Sequence, residues 1–185
     1  MNYPKYFATG NRNKLREVNS ILEEKLEQID LDLVEIQSTD VIEVVKAKAI
    51  QAYKETGKIV LVEDTGLSFV AWNNLPGALI KWFLEEVELS EIIKMLESFE
   101  NKEVVAHTAF CFFDGSKTHI FEAKIKGSVA KEIKGEEGFG WDALFIPEGG
   151  TKSFAEMNPE EKNKISMRRL ALEKLANISV GQPTS

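Results

Sequence analysis

The stretch IVLVEDTG, Ile59 to Gly66, carries strand-forming aliphatics into two adjacent carboxylates, a hydroxyl and a glycine. At the C-terminal end of a parallel strand, Glu63 and Asp64 would stand at the edge where open α/β sheets place their ligands. Consecutive strand residues point to opposite faces, so only one of the pair faces a given site. Asp64, nearer the Gly66 turn, is the candidate for an open cleft, and Glu35 on the preceding strand can approach beside it. Glu63 reads as a cap or a salt-bridge partner. Two carboxylates with oxygen-only chemistry suit Mg²⁺, which binds through one or two protein carboxylates, several waters and substrate phosphates.

Three further stretches could carry chemistry. In YFATGNRNK a strand, a glycine turn and a helix start follow one another, so backbone amides could face an anion. Asn11 adds a side-chain donor there and Lys14 a mobile cation. An ordinary turn between strand and helix, with Gly10 in an awkward conformation, explains the pattern equally. In EGFGWDALF two glycines bracket Phe139, which could stack on a flat ring, while Asp142 could accept hydrogen bonds. A tight turn into a buried strand accounts for that stretch as well. In the last helical stretch a wheel puts Ile165, Leu172 and Leu175 on one side with Arg168 among them. An arginine on an apolar stripe snorkels, meets a buried carboxylate or points at a ligand acceptor. Lys162 lies at the edge of that stripe.

Composition narrows the classes. The 185 residues, 43% hydrophobic, suffice for one substantial core, and one domain over residues 1–185 is expected. A net charge of -7 argues against a nucleic-acid binder, whose backbone affinity needs clustered Lys and Arg. No window approaches the roughly 20 apolar residues of a membrane helix, and MNYPKYFATG lacks a basic-then-apolar leader. The single cysteine, Cys111, sits in apolar sequence, which suits a buried thiol in a reducing, cytoplasmic setting. Only two histidines, His107 and His119, are present, both expected half-exposed on strands, which argues against a His-rich zinc or copper site. G-x-S-x-G is absent.

Periodicity supplies the elements that must position these groups. Strands are expected at Lys5 to Thr9, Leu31 to Gln37 and Ile59 to Glu63, with helices from Lys14 to Leu26 and from Val41 to Thr56, the latter stopped by Gly57. This β-α-β-α-β series favours a partly parallel sheet flanked by helices. Helices are expected again from Ala78 to Val87 and from Ser90 to Phe99. A hairpin follows: Glu103 to Phe113, a turn at Asp114 and Gly115, then Thr118 to Gly127 with alternating apolar residues. After the apolar segment DALFIP, Asn158, Pro159 and Glu161 form an N-cap, first helical residue and capping box for one helix running to Ala176. A frayed tail is expected from about residue 178.

Taken in order, ATGNRNKLREVNSIL, VLVEDTG, LPGALIKWFLE, GFGWDALFIP and SFAEMNPEEKNKIS with its following arginines resemble the inosine triphosphate pyrophosphatase family, from Phe7 to about Leu175. The resemblance implies an α/β fold with a long mixed β-sheet, flanked by helices, and two lobes around a central cleft. It implies a homodimeric enzyme that cleans the nucleotide pool by hydrolysing ITP, dITP and XTP to the monophosphate and pyrophosphate with Mg²⁺. By motif match, Thr9, Gly10, Asn11, Arg12, Asn13 and Lys14 would hold the triphosphate, with Lys81 assisting. Glu35 and Asp64 would bind Mg²⁺, Asp64 doubling as base for the attacking water, with Thr65 against the substrate. Phe139 would stack on the base, and Gly140, Trp141, Asp142, Lys162, Met167 and Arg168 would complete the pocket. Metal and lysines would neutralise the pyrophosphate leaving group while a carboxylate orients water in line.

Two departures from the family pattern stand out. Its usual Ser-His-Arg reads Ser166, Met167, Arg168 here, so a thioether replaces an imidazole near the base. The segment after Glu35 is shorter than the usual glycine-containing loop. Two alternatives follow: a Maf-like enzyme acting on modified or pyrimidine nucleotides, and a nucleotide-binding relative without turnover.

Overall fold

The structure, a computed structural model, describes residues 3–180. In chain order the elements are β1 (Tyr6–Ala8), α1 (Arg12–Ile21), β2 (Glu27–Ile29), α2 (Val41–Thr56), β3 (Val60–Phe69), β4 (Leu75–Gly77), α3 (Ile80–Glu86), α4 (Leu89–Leu96), β5 (Glu103–Phe113), β6 (Thr118–Val129), β7 (Phe145–Pro147), α5 (Pro159–Ile165) and α6 (Met167–Val180). Among the described residues the strands form one seven-stranded mixed sheet in the order β2-β1-β3-β5-β6-β7, with β4 also on β3. β1 runs parallel to β2 and β3, and the remaining pairings are antiparallel. The expected mixed α/β fold is what the chain adopts.

Side-chain alternation divides the core between the two faces of the sheet. Val60 and Val62 of β3 and Ala109 and Cys111 of β5 pack on α2 through Val41, Val45, Ala49 and Ala52. Leu61, Leu67 and Phe69, with Phe7, Phe110 and Phe121, pack on α1, α4 and α6 through Val18, Ile92, Leu96, Ala171 and Leu172. Asp40 caps α2 by accepting from the Ile42 amide, and Gly57 ends it at φ +65°, a left-handed conformation that a side chain disfavours. Both boundaries of that helix were legible in the sequence.

Other boundaries differ, for physical reasons. The helix expected to reach Leu26 stops at Ile21, because the Asn19 carboxamide both donates to the Leu26 carbonyl and accepts its amide, folding the chain back. Leu22 and Leu26 stay buried through that reversal. The strand expected at Leu31 to Gln37 is displaced to Glu27–Ile29, which takes the whole three-residue length of β1 as its partner. The strand expected to end at Glu63 continues to Phe69, paired with β5 from Val62↔Cys111 to Phe69↔Val104. α3 and α4 are shorter than expected, and the hairpin of β5 and β6 matches its reading to within two residues.

The single terminal helix expected from Asn158 is two. Ser166 adopts an extended conformation, φ -69° and ψ 146°, closing α5 by its amide to the Lys162 carbonyl and capping α6 by accepting from the Arg169 amide. The break turns Ile165 outward, 41% exposed, instead of onto the stripe with Leu172 and Leu175. His107 and His119 are buried rather than half-exposed, each against a carboxylate, Glu122 and Asp114. Cys111 is buried and free, and burial pushes its thiol up to about 12. Of the tail expected to fray, residues beyond 180 lie outside the described residues.

Candidate active site

β1 pairs with Val60 and Leu61, and β4 with Leu67 to Phe69, so the stretch of β3 from Val62 to Gly66 has β5 on one side and an open edge on the other. Glu63 and Asp64 are therefore mid-strand residues, yet they face a cleft because their neighbouring strand stops short. The cleft has a volume of ≈ 730 Å³ and is lined by the loop after β1, β3, the segment from Leu31 to Glu35, α3, the loop around Phe139 and the start of α6. Thr9, Gly10, Asn11, Lys14, Glu35, Asp64, Thr65, Lys81, Phe139, Gly140, Trp141, Asp142, Met167 and Arg168 all line it. Arg12, Asn13 and Lys162 do not, although Lys162 Nζ lies 4.9 Å from the Phe139 ring centre.

At the first end of the cleft, the Asn11 carboxamide caps α1, accepting from the amides of Asn13 at 2.9 Å and Lys14 at 3.2 Å. Thr9 Oγ1 accepts from the Asn11 amide. The amides expected to face an anion thus already have a partner, and Asn11 acts here as an acceptor, not a donor. Lys14 reaches inward instead, its Nζ 3.3 Å from Glu63 Oε1.

In the middle, Lys48 Nζ donates to Glu35 Oε1 at 2.8 Å, the Glu63 carbonyl at 3.2 Å and Asp64 Oδ1 at 3.4 Å. Lys81 approaches Glu35 Oε2 at 3.7 Å from the opposite wall. Asp64 Oδ2 is buried without a hydrogen-bond partner. Burial pushes the Asp64 carboxyl up to about 6; Lys48 and Lys14 pull against it, while Glu35 and Glu63 add to it. Burial would also raise Glu35, but Lys48, with Lys81 and Lys14, outweighs it and holds Glu35 below the usual carboxylate range. Lys48 in turn is held as an ammonium, Asp64 and Glu35 overcoming its desolvation.

At the far end, Asp142 Oδ2 accepts from the Phe139 amide and from Lys162 Nζ, both at 2.7 Å. Gly138 makes that turn possible: its φ is +79°, and a Cβ there would meet Asp142 Oδ2 at 2.2 Å. Trp141 is mainly a core residue, edge-on to Phe145 at 5.6 Å between centres. Arg168, 2% exposed, donates from Nε to Glu63 Oε2 at 3.2 Å, from Nη2 to Glu63 Oε1 at 2.9 Å, and from Nη1 to Glu17. Of the three fates open to it in the sequence, it takes the buried carboxylate, while its Cζ sits 5.6 Å from the Phe139 ring centre. Burial alone would raise Glu63, but Arg168 and Lys14 hold it well below the usual carboxylate range.

Two residues escaped the sequence reading. Lys48 lies on the buried stripe of α2 with Val41, Val44, Val45, Ala49 and Ala52, so the signal that singled out Arg168, a cation on an apolar face, was present there too. Glu17, which bridges Arg168 and Lys162, gave no such signal, because both partners lie more than 140 residues away in the chain. Buried Lys48, Lys162 and Arg168, with partly buried Lys14 and exposed Lys81, face five acids: Glu17, Glu35, Glu63, Asp64 and Asp142.

The sequence model of the Ham1 family matches residues 5–178. An inosine triphosphate pyrophosphatase from Kluyveromyces lactis is 43% identical over 179 residues, spanning 91% of this chain and 92% of that protein. A dITP/XTP pyrophosphatase from Methanopyrus kandleri is 39% identical, over 92% of this chain and 93% of that protein. Among solved structures, a HAM1 protein from Coxiella burnetii superposes with a TM-score of 0.84 at 25% identity, covering 98% of this chain and all of that one.

Proposed function

The chain belongs to the Ham1 family, and from that premise we propose that it hydrolyses non-standard purine nucleoside triphosphates, ITP, dITP and XTP, to the monophosphate and pyrophosphate. The observation that carries the reading is the order of groups along one cleft. Lys14 stands at the α1 end, a buried acid with an unpartnered oxygen lies in the middle beside Lys48 and Lys81, and an aromatic ring flanked by two cations lies at the far end.

In this reading Lys14 and Lys81 bind the outer phosphates and stabilise the departing pyrophosphate, and Lys48 lies beside the α-phosphate. Asp64 is the base: Oδ2 accepts the proton of the attacking water, and a carboxyl raised to about 6 is ionised yet basic enough at neutral pH. Thr65 lies against the substrate, its Oγ1 held by Glu63 Oε1 at 2.5 Å. A 6-oxo purine stacked on Phe139 offers an acceptor to the cations beside it, whereas adenine offers a donor, a polar mismatch that can discriminate by roughly 10⁴.

The residues fit Mg²⁺. Glu35 and Asp64 supply two oxygen ligands around a position now bridged by an ammonium, and one Asp64 oxygen is orphaned. Mg²⁺ held there would neutralise phosphate charge and act as a Lewis acid. We further assign a single domain, a homodimer and a cytoplasmic address, supported by the family resemblance and the free buried thiol of Cys111. The test is pyrophosphate release from ITP, dITP, XTP, ATP and GTP with Mg²⁺. The 6-oxo substrates lacking a 2-amino group should lead, and folded protein releasing none from any of them would overturn the reading.

A further inference from the structure

Glu63 touches two groups that the proposed reaction assigns to opposite ends of the substrate. Its Oε1 lies 3.3 Å from Lys14 Nζ, at the phosphate end. The same oxygen accepts from Arg168 Nη2 at 2.9 Å, and Oε2 accepts from Arg168 Nε at 3.2 Å, beside the Phe139 ring. Thr65 Oγ1 donates to Oε1 as well, and Thr108 Oγ1 stands 3.2 Å behind Thr65. The carboxylate is 3% exposed, so water cannot replace a partner that leaves.

We propose that Glu63 is a positioning residue that couples recognition of the base to release of Lys14 onto the phosphates. Lys14 can turn from Glu63 to a phosphate oxygen only while Arg168 stays and compensates the buried carboxylate. The guanidinium has five N–H donors, of which Glu63 and Glu17 take three, leaving two for a base. A 6-oxo base accepts from those two and holds Arg168 in place, so Lys14 is free to move. A 6-amino base presents a donor, pushes the guanidinium aside and leaves Glu63 dependent on Lys14. Discrimination then falls on the rate of the chemical step and not on binding alone.

The inference rests on the proposed hydrolysis, and its experiment is a double-mutant cycle on pyrophosphate release. Lys14→Met, Arg168→Lys and the double variant are compared on ITP, first with Glu63 present and then in Glu63→Gln. With Glu63 present, the double variant should lose at least tenfold less than the product of the single losses. In Glu63→Gln the losses should multiply. Glu63→Gln and Glu63→Asp should each lower the ITP-to-ATP ratio of kcat at least tenfold with KM for ITP little changed, a split that a purely structural role would not produce. Glu63→Asp keeps the charge for Arg168 while drawing back from Lys14, and carries the test if Glu63→Gln does not fold. Multiplying losses with Glu63 present, or an unchanged kcat ratio in Glu63→Asp, overturns the coupling alone. Wild-type protein that turns over no 6-oxo purine triphosphate overturns the proposed function and the coupling with it.

Discussion

Glu63 and Asp64 are adjacent on β3, yet their carboxylates serve opposite faces of the sheet: Glu63 meets Arg168 and Lys14, and Asp64 meets Lys48 on α2. One acid is saturated with partners and the other keeps an open oxygen. In the proposed reaction that difference gives them different work, the first as a buried counter-ion and the second as a proton acceptor.

Asp64→Asn should lower kcat for ITP by about 10²–10⁴, the usual contribution of a positioned general base. Nucleotide binding, measured by calorimetry with ITP and EDTA, should survive. A loss of binding equal to the loss of rate would remove Asp64 from the role of base.

The raised Asp64 carboxyl also fixes the sign of two pH effects. Mg²⁺ on Asp64 would favour its ionised form, so activity with Mg²⁺ should begin to climb at a pH below the metal-free value of about 6. Stability should move the other way, because between the unfolded value of 3.8 and the folded value of about 6 the native state binds the extra proton. The ionised group is thus a liability that is absent in acid and complete above about 6. In EDTA, Asp64→Asn should melt higher than wild type at pH 8 and lose that advantage at pH 4. An equal shift at both pH values would contradict this.

Arg168→Ala strands Glu63 and Glu17 without their guanidinium in a buried site. Breaking such an arrangement costs about 3–5 kcal/mol, which for a chain of this size lowers Tm by roughly 10 °C. Thermal melting checks it, and a variant within a degree or two of wild type would mean that the carboxylates find other partners.

Lys48→Met removes the ammonium that spans Glu35 and Asp64. Because that cation competes for the oxygens a divalent ion would take, Mn²⁺ titrated at pH 8 without nucleotide should bind roughly tenfold tighter, about 1.4 kcal/mol. Turnover of ITP should nevertheless fall. Weaker Mn²⁺ binding would show that Lys48 organises the acids and does not compete at them.

Met167→His tests the thioether that lines the cleft, a buried side chain at the start of α6. A donor placed there should improve the kcat/KM ratio of ITP to ATP by roughly tenfold, the scale of one well-made hydrogen bond. Without nucleotide the buried imidazole has no assured partner, so Tm should drop. An unchanged ratio would leave base choice to Arg168 and Lys162.

Local chemistry was readable wherever it was local. The Gly57 stop of α2, the capping box at Asn158 and Glu161, and the alternation of the β5–β6 hairpin all depend on residues a few positions apart. Asn11 with Lys14, Glu35 with Asp64, and Phe139 with Asp142 could likewise be marked as candidates by type and spacing, whereas Thr9, Arg12 and Asn13 came from the family resemblance. Readings failed where a specific hydrogen bond or strand pairing overrode the apolar period. β2 lies where the short β1 could receive it, α1 is cut short by the Asn19 clamp on Leu26, and Ser166 divides a helix whose apolar period runs on.

The sequence by itself therefore determined the mixed α/β character, most of the elements in order, without β4 or the division of the terminal helix, and which residue types were candidates for phosphate, metal and base. Only the tertiary structure decided that β3 runs on past the end of β1, which opens its edge at Glu63 and Asp64. It alone joined Glu17 on α1 to Lys162 and Arg168, and Lys48 on α2 to Glu35 and Asp64. The physical reason is that a buried charge is settled by whatever opposite charge the fold brings within about 4 Å. Neither periodicity nor spacing along the chain carries that distance.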